Sequence, residues 1–298
     1  MRKEAPMATQ APATDRPRAT AAVATTSHEV VLERSSGWPS LRLRELWNAH
    51  ELVYFLVWRD VKVRYKQTLL GVAWAVLQPL LTVVVFTLFF NRVAQISSES
   101  LPYPVFALAG LVPWLFFSNA VSLASASVVA NANVLTKVYF PRLAIPLATT
   151  LSGAPDFLIG FVLLLIVMAA YGIVPGLTLL ALPAFVAIAV VAALGIALWL
   201  SSLNVLYRDV RYIVPITIQL WLLATPIAYP VSGLSSPWNV LLGLNPMAGA
   251  VEGFRWAVTG AAAPPLGMVA LSAAVAAVLV VSGAYYFRGM ERKFADVI

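Results

Sequence analysis

Residues Phe157–Tyr207 read FLIGFVLLLIVMAAYGIVPGLTLLALPAFVAIAVVAALGIALWLSSLNVLY, 51 consecutive positions without a charged side chain. A helix crosses the hydrocarbon core of a bilayer with roughly 20 apolar residues, so this run is too long for one crossing. Gly172, Pro175 and Gly176 punctuate it with a turn. They divide it into two spans, about Leu143–Ala170 and Leu177–Leu203, the first reaching back through Asp156. The whole chain of 298 residues is 60% apolar and only 11% charged, against roughly 45–50% and about 25% in soluble domains. A soluble protein of this composition could not cover its surface with polar groups. The fold class is an all-α polytopic membrane protein.

Working outward, the other uncharged runs fit the same ruler. Gln67–Asn91 holds a span at about Leu69–Phe90, Ser100–Thr136 one at Tyr103–Ser127, and Tyr212–Val251 one at Ile213–Ala228. Trp256–Phe287 supplies the last, at about Leu266–Phe287, for six transmembrane helices. Between the fifth and sixth, residues 231–260 hold two short apolar pieces separated by Asn245-Pro246. These predict two re-entrant extracellular helices capping a pathway, with Glu252, Arg255 and Trp256 in the gate; a pair of interfacial helices without a gating role is the plainer reading. Eighteen Lys and Arg fall on the side of the termini and two, Arg92 and Arg255, on the other. Positive charge accumulates in cytoplasmic loops, so both termini face the cytoplasm.

That distribution also disposes of the formal charge of +7, which flanks the membrane and gives no reason to expect nucleic acid. There is no cysteine and there are two histidines, too few for a thiol or histidine metal site. No P-loop pattern occurs, so the chain itself binds no nucleotide. Residues 1–40 read as a disordered cytoplasmic extension, since residues 1–27 are rich in Ala, Thr and Pro with no apolar h-region. Residues 41–66 alternate apolar residues with charges at helical spacing and predict an amphipathic helix in the membrane interface. This helix is either an anchor or a docking surface for a cytosolic partner, and 67–298 form the transmembrane domain.

Three further features carry chemistry. Residues 131–142 form a short helix-like connector whose Val138, Tyr139 and Phe140 are apolar yet cytoplasmic; they lie on lipid headgroups or pack against a partner. Asp156, after Pro155, sits midway along the third span, where an ionisable group must face protein or water; it lines a pore or makes an interhelical hydrogen bond. Aromatic residues, among them Trp74, Phe86, Trp114, Phe117, Trp221 and Tyr229, cluster near span ends. A membrane-interface belt explains such residues, and stacking on sugar rings is the sharper alternative.

Six segments in order resemble the membrane subunit of type-2 ABC exporters, in the branch that exports O-antigen, teichoic acid, galactan and related cell-envelope polysaccharides. They are RDVKVRYKQTLLGVAWAVLQPL (Arg59–Leu80), LVPWLFFSNAV (Leu111–Val121), NVLTKVYFPRLAIPLA (Asn133–Ala148), NVLYRDVRYIVP (Asn204–Pro215), TPIAYP (Thr225–Pro230) and NPMAGAVEGFRWA (Asn245–Ala257). The resemblance runs from about residue 41 to the C-terminus. It implies a homodimer in the bacterial inner membrane with two copies of a cytosolic P-loop ATPase, which carries the ATP and Mg; this chain would hold no cofactor. It implies that residues 131–142 are the coupling helix, with Asn133, Lys137, Tyr139, Phe140, Pro141 and Arg142 at the ATPase. Arg59, Asp60, Lys62, Arg64 and Tyr65 would be the neighbouring interface, and the cargo a lipid-linked polysaccharide moving outward over aromatic surfaces. The basic cluster Arg59–Lys66 could meet an anionic sugar or pyrophosphate. Two alternatives stand beside this. One is an exporter of the same superfamily carrying a drug, lipid or peptide. The other is an integral-membrane glycosyltransferase-type enzyme, which would need the scattered carboxylates Glu99, Asp156, Asp209 and Glu252 to converge.

Overall fold

The computed structural model describes residues 43–66, 71–96, 98, 100–135, 140–232 and 236–297. The expected extension 1–40 and four residues of the expected coupling helix, Thr136, Lys137, Val138 and Tyr139, lie outside them. Every regular element among the described residues is helical. Helices α1 (Leu43–Asn48) and α2 (His50–Lys66) continue one another through Ala49, whose N–H reaches Glu45 O and whose O accepts from Val53 N–H, each at 3.0 Å. Then come α3 (Gly71–Phe86), ending in the π-helical stretch Thr87–Val93, α4 (Tyr103–Ala130), and the short α5 (Ala132–Leu135). Helices α6 (Ala144–Leu151) and α7 (Ala154–Ala170) follow, then the 3₁₀ turn Leu177–Ala181 and α8 (Leu182–Leu206). The chain closes with α9 (Val210–Ala224), α10 (Ser236–Gly243), α11 (Pro246–Thr259) and α12 (Leu266–Val297).

Among the described residues, five helical stretches are long and apolar enough to cross a bilayer: Ala73–Val93, Tyr103–Ala130, Ala144–Ala170, Leu177–Leu206 and Leu266–Glu291. The expected fifth span, Ile213–Ala228, is different. Its helix is 15 residues long and rises about 22 Å, short of the roughly 30 Å hydrocarbon core. The reason is Pro226: the residue before a proline is pushed into extended backbone, and Thr225 has φ −101° and ψ 136°. The non-helical segment goes on to Ala228, whose carbonyl accepts from Tyr103 Oη at 3.0 Å beside the start of α4. At the far end, Asn204 of α8 donates to Ser125 O near the end of α4, also at 3.0 Å.

The third expected span is broken at Ser152–Gly153. In an unbroken helix residue 155 would donate to Leu151 O, but Pro155 has no N–H. Helix α7 therefore restarts with proline in its first turn, a favoured position. The connector 131–142 is helical only over Ala132–Leu135 in its described part; around Pro141 the backbone turns, with Ala144 N–H reaching Pro141 O at 2.9 Å.

Helix α4 is the centre of the bundle. Val105, Leu108 and Phe117 are fully buried along it, and α6, α7, α8 and α11 pack around it. Helices α8 and α12 approach so closely that a Cβ on Gly195 would lie 2.6 Å from Val280 N, and one on Gly283 2.7 Å from Gly195 O. Helix α11 is buried too: Met247, Ala248, Ala250, Val251 and Phe254 have no exposed surface. Asn245 starts it by accepting from Met247 N–H at 3.0 Å, the usual work of an N-cap, and Gly260 (φ 68°) ends it in the left-handed conformation.

Candidate functional site

At the end of the bundle that carries α2, charged side chains converge on the protein. Leu56 seats α2 against Ala144, Ile145 and Ala148 of α6. Arg59 donates to Asp60 Oδ1 at 2.8 Å and to Asn131 Oδ1 at 3.0 Å. Thr149 donates to the other Asp60 oxygen at 3.4 Å. One turn further along, Arg64 pairs with Asp156 and donates to Ser152 Oγ at 3.4 Å, while Tyr65 Oη donates to Asp156 Oδ1. Burial, then the hydrogen bond and charge of Asp156, push the Tyr65 phenol above the ordinary tyrosine range, with Arg64 pulling the other way. Tyr65 is therefore a hydrogen-bond donor at every physiological pH.

Three of the expected ATPase-facing charges, Arg59, Asp60 and Arg64, thus serve contacts within the chain. Lys62 is exposed, as are Trp47, Tyr54, Phe55 and Trp58, so the chain leaves the aromatic stripe of α1 and α2 uncovered. The expected anion site at Arg59–Lys66 is altered accordingly, because the charge of Arg64 is balanced by Asp156. Arg142 turns inward as well, donating to Glu291 O near the end of α12. Arg288 bridges Glu291 to Glu45 of α1. Phe140 packs on the Leu56–Ala144 cluster, and Asn133 lies at the surface.

Between the end of α2, α3, α4 and α7 lies a cavity of about 350 Å³. Arg64, Tyr65 and Asp156 form one end, Trp74 and Gln78 come from α3, and Asn119 and Ser122 come from α4. The short carboxylate of Asp156 reaches it because the break at Ser152–Gly153 brings the start of α7 beside α2.

The opposite end is organised by Arg255. Its side chain is 4% exposed and pairs with Glu252 at 2.5 Å. Nε donates to Phe106 O at 3.3 Å, and Nη2 to Pro226 O and Ile227 O at 3.0 and 3.2 Å. The guanidinium also lies over the Phe106 ring, 3.8 Å from its centroid. These carbonyls belong to the start of α4 and to the stretch where α9 has lost its helical bonds. Backbone groups freed at membrane depth must find partners, and Arg255 supplies them for Pro226 and Ile227, while Phe106 O also belongs to the α4 helical ladder. Asn245 adds a second tie, accepting from Trp221 Nε1 and donating to Thr225 Oγ1, both at 2.9 Å. Trp256 packs edge-on against Phe185.

Of the aromatic residues expected along a pathway, Phe86, Trp114 and Phe117 are buried inside the protomer. Trp114 and Phe117 pack together, with centroids 5.3 Å apart, and Phe117 meets Trp221 at the same distance. Their ring faces are used by the core, because α4 is central rather than peripheral. Trp221 and Tyr229 are partly buried, and Trp74 stays open at the cavity.

Apolar helices of this length, with polar clusters confined to the bundle's two ends and one side cavity, define an integral membrane protein. Residues 51–259 match the ABC-2 type transporter family, and the chain belongs to that family. An O-antigen export system permease protein RfbA of Myxococcus xanthus is 30% identical over 259 residues, 86% of this chain and 98% of the relative. An RfbA of Klebsiella pneumoniae is 29% identical over 206 residues, 69% and 79% of the two chains. The polysialic acid transport protein KpsM of Escherichia coli is 22% identical over 202 residues, 67% and 78%.

Proposed function

We propose that the chain is the membrane subunit of an ATP-driven exporter that moves a lipid-linked polysaccharide outward across a bacterial inner membrane. The observation that carries this reading is the match to an O-antigen export permease along 98% of that relative's length. Two copies enclose one pathway, and two copies of a separate P-loop ATPase bind from the cytoplasm and hold the ATP and Mg. The chain crosses the membrane six times with both termini inside. The fifth crossing combines α9 with its extended continuation to Ala228, a reading supported by the contacts of Asn204 and Tyr103 at the two ends of α4. The pair α10–α11 is re-entrant from outside, as the full burial of α11 suggests, and Arg255 and Glu252 hold the outer gate. The connector through Phe140 and Arg142 meets the ATPase. Because α2 and α6 share a sealed contact, and Arg142 is tied to α12, movement of the connector reaches all three helices.

The test is a mild-detergent pull-down of the full chain from its native membrane, with mass spectrometry of what stays bound, beside a Tyr139→Ala/Phe140→Ala variant. A P-loop ATPase recovered with the wild type and lost with the variant is the expected result. In a deletion strain, lipid-linked glycan should accumulate inside the cell. No ATPase even after cross-linking, or normal surface glycan without the chain, would sink the reading.

A further inference from the structure

The cavity between α2, α3, α4 and α7 is lined mainly by apolar side chains, with the polar groups of Arg64, Tyr65, Gln78, Asn119, Ser122 and Asp156 set among them. Its side-chain amides, Gln78 and Asn119, have no hydrogen-bond partner among the described residues. Asn119 is half-buried and Gln78 exposed, so both amides are open to something that hydrogen-bonds. Charge selects among the candidates. Arg64 and Asp156 are the charged residues among the described lining, and they are paired. An anion approaching Arg64 meets the Asp156 carboxylate, and a cation approaching Asp156 meets the guanidinium, in surroundings that screen charge weakly. An acyl chain would leave the amides unserved. An uncharged polyhydroxyl compound fits, because each hydroxyl both donates and accepts and can join a carboxylate to an amide. Trp74, 55% exposed, adds a broad flat ring against which the C–H face of a pyranose can lie. The volume of about 350 Å³ falls at the lower end of ligand sites.

We infer that this cavity binds an uncharged sugar unit of the exported glycan, with Asp156, Asn119 and Gln78 as its hydrogen-bonding groups and Trp74 as its platform. The inference rests on the polysaccharide reading above and narrows it: neutral hexose units are held and acidic ones such as sialic acid are turned away by Asp156. Tyr65 and Arg64 keep the carboxylate in place.

The test uses the full chain with its ATPase in lipid nanodiscs. The probes are a panel of neutral hexose oligomers from mannan, galactan and glucan, with oligosialic acid of equal length, and binding is read by saturation-transfer NMR. A neutral oligomer should bind and oligosialic acid should not. Trp74→Leu and Asn119→Leu should each weaken binding about tenfold, and Trp74→Tyr should restore most of it. Asp156→Asn removes the negative charge beside Arg64 and should turn the preference toward oligosialic acid, a reversal that loss of folding cannot mimic. Binding of none of the neutral probes, equal binding of both classes to the wild type, or unaltered preference in Asp156→Asn would overturn the site. Absence of glycan export in cells would instead remove the transport reading. Normal export with unaltered binding in all the variants would remove only the cavity's role.

Discussion

Replacing Arg255 with methionine keeps most of the side-chain volume and removes the guanidinium that joins three segments. The substitution takes a donor from the carbonyls of Pro226 and Ile227, removes a second donor from the helix-bonded Phe106 carbonyl, and deprives the Glu252 carboxylate of its guanidinium. Removing one partner of a buried charge pair costs about 3–5 kcal/mol, and each buried carbonyl left without a donor about 1–3 kcal/mol. These terms overlap, because the freed segment can shift toward water, and about 4 kcal/mol is a reasonable total. That corresponds to a fall of about 10 °C in melting temperature for a chain of this size. The assay is thermal unfolding of the purified chain in detergent, followed by fluorescence-detected size exclusion. Arg255→Lys should be intermediate, since an ammonium cannot reach carbonyls in a planar fork. The discriminating variant is Glu252→Met/Arg255→Met, which removes the carboxylate along with its guanidinium and should recover about 1 kcal/mol relative to Arg255→Met alone. A single variant within about 0.5 kcal/mol of wild type, or a double variant worse than the sum of its singles, would refute the idea that Arg255 is the electrostatic tie of this end.

Gly195→Ala should destabilise strongly in the same assay, since the new Cβ would sit 2.6 Å from the backbone of Val280. Gly267→Ala, with open space around it, should be neutral or gain up to about 1 kcal/mol of helix propensity. Arg142→Glu should reduce export while leaving membrane levels near normal, and Arg142→Glu/Glu291→Arg, which exchanges two side chains 4.0 Å apart, should restore part of it; failure of the exchange would count against an ion pair between them. The Tyr65 phenol is raised, so its neutral form is favoured in the folded state. Its contribution to stability is full below the ordinary tyrosine pKa of about 10 and is lost as pH climbs toward the folded value. Tyr65→Phe should therefore flatten the alkaline fall in melting temperature, and an unchanged slope would count against the Asp156 contact.

Much of the architecture was legible because the bilayer imposes a length. The long helices lie where uncharged runs of twenty or more residues lie, and Gly172–Gly176 breaks the longest run as glycine and proline do. The early end of α9 was written in Thr225-Pro226, but apolar composition continues to Ala228 and hides a change of backbone that leaves hydropathy untouched. The same is true of Ser152–Gly153, where Pro155 carried the signal. The site was less legible. Arg64 and Asp156 are 92 positions apart, and no local pattern pairs them. Arg255 and Glu252 are an i,i+3 pair that any helix allows. What Arg255 does depends on carbonyls exposed by the break in α9, a tertiary consequence. For Trp114 and Phe117 no such signal exists, because an aromatic residue in a long apolar helix looks alike whether that helix is central or peripheral.

Helix α12 runs unbroken for 32 residues, about 48 Å. Near its lower end Glu291 holds Arg142; near its upper end Ser272 Oγ accepts from Gly249 N–H of α11 at 3.1 Å and donates to Asn245 O at 3.0 Å. Midway, residues 280–283 press against Gly195 with no side chain between the two backbones. That contact has the geometry of a fulcrum. Glu291 and Ser272 each stand about nine residues, or roughly 14 Å, from it, so the lever has equal arms. If the helix rocks as a rod on Gly195, a swing of about 2 Å at the connector becomes an opposite swing of about 2 Å at the α10–α11 pair. A single glycine then sets the mechanical ratio between the two ends of the bundle.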